Sequence, residues 1–429
     1  MKSVKVGFLG FGTVGKGAYE LLHRNGELIQ NRIGVEVEVT KVFVRKPENY
    51  ENYRKMETTT FTSRIEDILE DPSIDMVVEV MGGTTFAQEC IVKAIEAKKN
   101  VVTANKDLIA TQGPYLFQLA LDNGVDIRYE AAVLGGIPII RPLYDSLGGN
   151  QVKEMMGIMN GTTNYMLSKM TEDGMDYGDV LKEAQELGYA EADPTADVGG
   201  LDAARKLAIL ASIAFNQRIF FEDVTVEGIT KIEKRDIEQA GRMGYVIKLV
   251  GIAKEIGQGL ALSVRPVLLS KSHPMASVRG AYNAIFVRGD GIGDAMFYGQ
   301  GAGALPTGSS VVSDIMEIAK HVNRNATGEM LHFYKSNKYI YPAGKVQSPY
   351  YLRIHANNKI GVLSRISGKL SDNKVSVSSF VQEQLGDGTV FMTLVTEPCP
   401  RANMEQAVFE LEKLHNVLGV KNCMSVLGE

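Results

Sequence analysis

The sequence predicts an α/β protein built in three parts, and three observations carry that reading. Short β-rich runs alternate with helical ones in the first third, the pattern changes to longer segments containing Gly, Asn and Thr from about residue 146, and a β-α-β-β-α-β order occupies residues 350–429. In the first part the β-rich runs are Val4 to Leu9, Val35 to Val44, Met76 to Val80, Val101 to Ala104 and Val125 to Glu130, with helical stretches such as Phe86 to Lys99 between them. Strands that alternate with helices are joined by crossovers, so a mostly parallel sheet follows.

This first part is expected to span 1–145 and to be completed by a return of the chain at about 305–335. The second, α+β part is expected over 146–304, carrying substrate chemistry and dimerisation. It contains the run Leu201 to Phe215, apolar almost all round and so expected to be a buried helix. Residues 336–349, with Pro342 and Gly344 among polar residues, read as a linker. Beyond it come strand Tyr350 to His355, helix Val362 to Ser371, strand Lys374 to Gln382, a turn at Gly386-Asp387-Gly388, strand Thr389 to Thr396, helix Met404 to Leu414 and strand Lys421 to Leu427. That order is ferredoxin-like.

Composition narrows the function classes. A chain of 429 residues is too long for one core, and 45% hydrophobic with 23% charged residues is ordinary for a folded globular protein. A net charge of -5 and the lack of a Lys/Arg run argue against a nucleic-acid surface, which needs clustered cations to neutralise phosphates. No apolar run approaches the roughly 20 residues that cross a bilayer, and Met1 to Phe8 leads straight into a strand pattern, so neither membrane insertion nor a leader is expected. Cys90, Cys399 and Cys423 show no metal-ligand spacing and suggest a reducing compartment, hence a cytoplasmic location.

Directly after the first strand stands Gly10-Phe11-Gly12-Thr13-Val14-Gly15, followed by a helical run. Its glycines have separate tasks: a tight turn, close backbone approach to a pyrophosphate, and close helix-strand packing. The helix N-terminus adds free N–H groups and a positive dipole end. In this context the motif points to a Rossmann-type dinucleotide-binding domain. The second strand ends in Arg45-Lys46 where an acid would bind the ribose hydroxyls of NAD. Two cations suit a 2′-phosphate, so NADP is favoured, with NAD also admitted.

A dehydrogenase needs a group that exchanges a proton with the substrate oxygen. Zinc is not expected to help, because the six histidines are scattered and the cysteines unclustered. Lysines stand out instead. In the stretch Gly188 to Lys206 a glycine-rich turn carries Glu191, Asp193, Asp197 and Asp202, and then opens the apolar helix. Asp202 precedes Lys206 by one helical turn, so the two share a face; a surface pair has the same spacing. Lys106 follows the buried-type strand Val101 to Ala104, at the end of a parallel strand where such sheets bind ligands.

These segments resemble the homoserine dehydrogenase family. Gly188, Asp193-Pro194, Asp197, Gly200, Asp202 and Lys206 match its signature, and Thr103 to Lys106, Glu130 to Pro138, Asn160 to Tyr165 and Gly299 to Thr307 are similar in the same order. The resemblance covers nearly the whole chain. It implies interconversion of L-homoserine and L-aspartate 4-semialdehyde in threonine, methionine and isoleucine biosynthesis. It further implies that Lys206 exchanges the proton, that Lys106 assists between nicotinamide and substrate, and that Asp202 and Glu191 hold homoserine, with Asp197, Tyr189, Gly161 and Thr162 around the pocket. Gly188 and Gly303 would contact the cofactor. Sodium, or another monovalent cation, would sit near Glu130 and the carbonyls of Val133, Gly135 and Ile137. A homodimer or homotetramer is expected. Two cations in a partly desolvated pocket predict a lowered lysine pKa.

The C-terminal unit resembles an ACT domain, a fold that commonly binds amino acids, and L-threonine is the effector this implies. Where such domains carry Asp-Lys-Pro-Gly this chain has Asn358-Lys359-Ile360-Gly361. A rival reading, aspartate-semialdehyde dehydrogenase, needs an activated cysteine, and Cys90 falls within a predicted helix with no histidine nearby.

Overall fold

Six short parallel strands form the first layer, in the order Thr60–Thr62, Glu36–Phe43, Ser3–Leu9, Met76–Glu79, Asn100–Thr103, Ile127–Arg128. They belong to a computed structural model that describes residues 3–53, 59–328 and 339–428. Met76–Glu79 and Asn100–Thr103 are buried along their whole length, because helices cover both faces of a parallel sheet. Strand order reverses at Ser3–Leu9, between its neighbours Glu36–Phe43 and Met76–Glu79. At such a point the two crossovers leave in opposite directions and open a crevice at the carboxyl ends of the strands.

Helix Ala304–Arg324 comes back from the far part of the chain and packs along helix Thr13–Arg24. Two glycines permit the contact. A Cβ on Gly17 would stand 2.0 Å from the Ala304 carbonyl oxygen, and one on Gly308 would stand 2.5 Å from the Ala18 nitrogen. The returning helix therefore shares a core with the first sheet, through Val311, Ile315 and Ile318.

A second, mixed sheet runs Gly293–Gln300, Tyr282–Gly289, Val152–Ile158, Tyr245–Ile256, Gly259–Ser270, Val417–Leu427, Tyr350–Asn357, Thr389–Thr396, Val377–Gln384. Helices Gly161–Glu172 and Leu201–Ala214 pack on its first half. The last strand of the chain pairs in parallel with Gly259–Ser270, Val267 against Ser425 and Leu269 against Leu427, so the C-terminal unit continues the sheet of the middle one. Residues 336–338 of the expected linker lie outside the described residues. From Ile340 onward the stretch is bonded: Ile340 bridges to Leu260, and Gln347–Ser348 pairs with Cys399–Pro400.

A charged cluster also ties the two units. Arg353 and Asp236 are both almost wholly buried and form a two-pronged pair at 2.7 and 3.0 Å, while Tyr351 and Asn422 donate to the same carboxylate.

The C-terminal unit has the predicted β-α-β-β-α-β order, with shifted ends. Its second strand is Val377–Gln384, later than the expected start at Lys374, because Lys374 takes φ +58° in the turn that closes helix Val362–Asp372. The second helix, Arg401–Leu411, begins earlier than expected, directly behind Pro400, which fits a helix start because no N–H is needed there. The last strand starts at Val417 rather than near Lys421.

Candidate active site

The crevice at the reversal point is a cleft of about 690 Å³ lined by Gly10, Phe11, Gly12, Arg45, Lys46 and the loop Val80 to Gly82, among others. Gly10 has φ +100°, and a Cβ there would strike the Val80 carbonyl at 2.9 Å, so the turn requires glycine. At Gly12 a Cβ would meet nothing within 4 Å: the chain keeps open space there, on the approach to helix Thr13–Arg24. A Cβ on Gly15 would stand 2.9 Å from the Gly10 carbonyl oxygen, so glycine is needed there too. Thr13 and Val14 open the helix, whose first turn has no side-chain cap. The sequence-predicted motif and both cations therefore meet at one cleft.

From this cleft a bonded path leads inward. Glu79, fully buried at the end of its strand, accepts from the Met81 and Gly82 N–H groups at 2.8 and 3.2 Å and from the Thr103 hydroxyl at 2.7 Å. Thr103 Oγ1 in turn accepts from the Asn105 N–H at 3.0 Å. Asn105 caps the next helix through Leu108 N–H, and its amide donates to the Gly83 carbonyl at 2.6 Å. Lys106 is the first residue of that helix, Lys106–Asn123, and follows a strand whose pairing stops at Thr103, one residue before the expected Ala104.

Lys106 Nζ donates to Asp202 Oδ1 at 2.5 Å, and Lys206 Nζ lies 2.7 Å from Asp202 Oδ2 and donates to the Met159 carbonyl at 2.9 Å. Two ammonium groups from distant parts of the chain thus share one carboxylate. Burial disfavours the Asp202 charge, but the two lysines outweigh it and hold its carboxyl well below the usual carboxylate range. The expectation of a lowered lysine pKa fails at Lys106. Burial works to lower it, yet the pairing with Asp202 prevails and the net shift is upward. The reason is the carboxylate between the two cations, which turns a repulsive pair into a neutralised one.

Asn160 is a residue that sequence reasoning missed. Its amide donates to Asp197 Oδ1 at 2.7 Å and to Asp202 Oδ2 at 2.9 Å, while its Oδ1 caps helix Gly161–Glu172 through Thr163 N–H. Cap preference alone marks Asn160 as a helix start, and nothing in its spacing points to the aspartates. Glu79 was missed too; a carboxylate inside the run Met76 to Val80 was the available signal. Asp197 joins the cluster through Asn160, and burial raises its carboxyl above the ordinary value. Thr162 donates to the Tyr189 carbonyl at 2.5 Å, and the Tyr189 ring lies 4.8 Å from that of Tyr165. Glu191 is exposed and stands outside the buried cluster, on the same turn as Gly188, which has φ +76°. Gly303, φ +121°, forms the N-cap of the returning helix.

Around Glu130 the carboxylate accepts from three successive N–H groups, Ile139, Ile140 and Arg141, at 2.6 to 2.8 Å. Gly135 lies close by with φ +48°, its carbonyl accepting from Ser310 at 2.6 Å. Cys90 is buried in helix Thr85–Glu96 and burial pushes its thiol up to about 11, the reverse of an activated nucleophile.

Comparison with known proteins bears directly on this geometry. Residues 10–130 match the family description "Homoserine dehydrogenase, NAD binding domain", residues 138–316 match "Homoserine dehydrogenase", and residues 352–419 match "AHAS small subunit-like ACT domain". The homoserine dehydrogenase of Bacillus subtilis is 40% identical over 100% of this chain and 99% of its own. The chain belongs to the homoserine dehydrogenase family. A crystal structure of a homoserine dehydrogenase from Thiobacillus denitrificans superposes with a TM-score of 0.93 at 39% identity, covering 100% of this chain and 99% of that one. A hyperthermophilic archaeal homoserine dehydrogenase in complex with NADPH gives 0.62 at 27% identity, covering 74% of this chain and 98% of its own. As a homoserine dehydrogenase the chain is an NAD(P)-dependent oxidoreductase of amino-acid biosynthesis, with the Rossmann-type and ACT units its sequence predicted.

Proposed function

We propose that Lys206 exchanges the proton at the substrate oxygen while a nicotinamide exchanges hydride with the carbon, interconverting L-homoserine and L-aspartate 4-semialdehyde. The observation that carries this reading is the convergence of Lys106 and Lys206 on Asp202, at the end of a bonded path from the dinucleotide cleft. Lys106 is the nearer lysine to the cleft loop and assists at the nicotinamide side. Asp202 keeps both ammonium groups in place, and Asp202, Asp197, Tyr189, Gly161, Thr162 and the exposed Glu191 bound the homoserine pocket. Glu191 has no part in the resting cluster, so its carboxylate is open to a substrate ammonium.

The residues of the cleft fit a dinucleotide. The space at Gly12, the uncapped helix start over Thr13 to Gly15 and the Gly303 helix start would hold its phosphates, and the bound cofactor supplies the hydride acceptor or donor. Arg45 and Lys46 line the same cleft, which favours NADP over NAD. Sodium or another hard monovalent cation takes oxygen ligands, and the carbonyls of Val133, Gly135 and Ile137 would supply them beside Glu130, whose carboxylate already accepts from three N–H groups.

Three further readings belong here. The division into 1–145 with 305–335, 146–304 and 350–429 is supported by the first sheet with its returning helix Ala304–Arg324 and by the separate hydrophobic core of the C-terminal unit; residues 329–335 lie outside the described residues. Exposed Met296 and Tyr298 on the edge strand Gly293–Gln300, with Tyr282 beside them, support a homodimer or homotetramer. L-threonine would bind at the ACT unit, where Gly361 keeps the turn with φ +85°, and free cysteines fit the cytoplasm. The direct test is absorbance at the reduced-nicotinamide band after adding L-homoserine and NADP to the purified protein. A rise is expected; none with either NADP or NAD overturns the proposal.

A further inference from the structure

Where the last strand joins the middle sheet, one face carries three polar side chains in a row. Val267, two residues on from Arg265, pairs with Ser425, and Ser425 pairs with Tyr350. Residues two apart in a strand share a face, and paired residues do too, so Arg265, Ser425 and Tyr350 stand on the same side. Arg265 Nε, the Ser425 hydroxyl and the Tyr350 hydroxyl are all buried without a hydrogen-bond partner. Arg265 and Tyr350 lie close enough for their side chains to interact, and Glu227 adds a negative charge to the same surroundings. The Arg265 Nε and the Ser425 hydroxyl still lack well-formed bonds, and a buried donor calls for a partner.

A cavity of about 80 Å³ opens at Arg265, which lines it with Arg401, Lys254, Glu154, Ser348 and Leu427, among others; Ser425 and Tyr350 stand behind its wall. One water needs roughly 10–15 Å³, so the space suits a small organic molecule and excludes a nucleotide. Its charge is unbalanced. Arg265 is only 8% exposed and pairs with no carboxylate among the described residues, and burial pulls its pKa down. Arg401 adds a second guanidinium, whose partner Glu405 lies out in solvent. Glu154, the acid of the lining, is already engaged by Lys254 at 3.1 Å and Arg288 at 3.6 Å. A buried cation without a counter-ion opposes folding, and an arriving carboxylate relieves it with charge-assisted bonds that guanidinium groups make in pairs.

We propose that this cavity is a binding site for a small carboxylate, held by Arg265 and Arg401 at the junction of the middle and C-terminal units. It lies on different residues from the dinucleotide cleft, the lysine pocket and the Asn358 to Gly361 turn. The ligand class is a monocarboxylate, either a simple acid or the α-carboxylate of a free amino acid.

The test is calorimetric titration of the full-length protein with acetate, L-threonine and inorganic phosphate, repeated on Arg265→Met and Arg401→Gln. Saturable binding of acetate or L-threonine is expected, weakened at least tenfold in both variants, with the NADP-linked rate unchanged. Equal affinity for the two identifies a simple acid site, and tighter L-threonine binding identifies an amino acid; both support the proposal. No saturable acetate heat together with no L-threonine binding that the variants weaken, binding of phosphate in preference to both carboxylates, or acetate binding that both variants retain overturns it; L-threonine binding that both variants retain belongs to the Gly361 turn and not to this cavity. Should Arg265→Met not fold, Arg401→Gln alone decides. Failure here leaves the proposed reaction untouched, because the oxidation rate reads that separately.

Discussion

Replacing Lys206 separates what its charge does from what its proton does. Lys206→Met keeps the length of the stem and removes the ammonium that lies 2.7 Å from Asp202 and bonds the Met159 carbonyl. Its side chain is 12% exposed, so water does not readily take its place. General acid-base catalysis contributes roughly 10²–10⁴-fold, about 2.7–5.4 kcal/mol of barrier at 1.36 kcal/mol per decade, and kcat should fall by that factor. Asp202 keeps Lys106 and Asn160 as partners, so the loss of stability stays below the roughly 3–5 kcal/mol of stranding a buried charge. Lys206→Arg restores the cation but never gives up its proton, and should remain within about tenfold of the Met variant by the same barrier arithmetic. The assay is initial-rate oxidation of L-homoserine, with NADPH affinity from fluorescence titration as the control. Wild-type-like kcat in Lys206→Met, or near-complete rescue by arginine, would refute proton exchange at this residue.

Further outcomes follow from the neighbouring groups. Arg45→Ala should raise the KM for NADP and leave that for NAD within experimental error; an unchanged ratio removes Arg45 from cofactor selection. Thr103→Val leaves Glu79 Oε2 without its donor, while Oε1 keeps the Met81 and Gly82 N–H groups, and leaves the Asn105 N–H without an acceptor, each loss costing about 1–3 kcal/mol. Its kcat should drop roughly tenfold, on the conversion of 1.36 kcal/mol per decade, and Thr103→Ser should recover most of it. For Asp202, a carboxyl held below its unfolded value of about 3.9 contributes stability that is present above that pH and fades as the pH falls through the folded value. The difference in Tm between wild type and Asp202→Asn should therefore be full at pH 5 to 7 and shrink in acid below about pH 4; a gap that widens there contradicts the assigned ion pair.

How far the sequence revealed this site depends on the kind of contact. The pair Asp202 and Lys206 was legible because one helical turn separates them, and the glycine motif because each glycine answers a local demand. Lys106 could be singled out by its place after a buried strand, but its separation of 96 positions from Asp202 is closed by the sheet and by helix Lys106–Asn123 meeting helix Leu201–Ala214. Asn160 and Glu79 escaped for the same reason: their partners come from other segments. The lowered lysine pKa was wrong because counting cations ignores the anion placed between them. In the C-terminal unit the order of elements was plain, yet its parallel pairing with Gly259–Ser270 was not, since the strand Val417–Leu427, with Gly419, Lys421, Asn422 and Ser425 among its apolar residues, says nothing about which edge it joins.

The bonding of the resting cluster also bears on direction. Asp202 and the Met159 carbonyl offer only lone pairs to Lys206, and pairing with Asp202 moves the Lys106 pKa upward. Both amines are held as donors, and at Lys106 the shared carboxylate favours the charged form and makes its proton harder to release. Aldehyde reduction needs a proton donor, because negative charge develops on the oxygen as hydride reaches the carbon. Alcohol oxidation needs an acceptor, and requires a lysine to lose its proton before the substrate hydroxyl can yield one. On the proposed roles, the carboxylate shared by a partly exposed and a mostly buried ammonium therefore sets a cost on the oxidative direction, in which one amine must first be freed from Asp202.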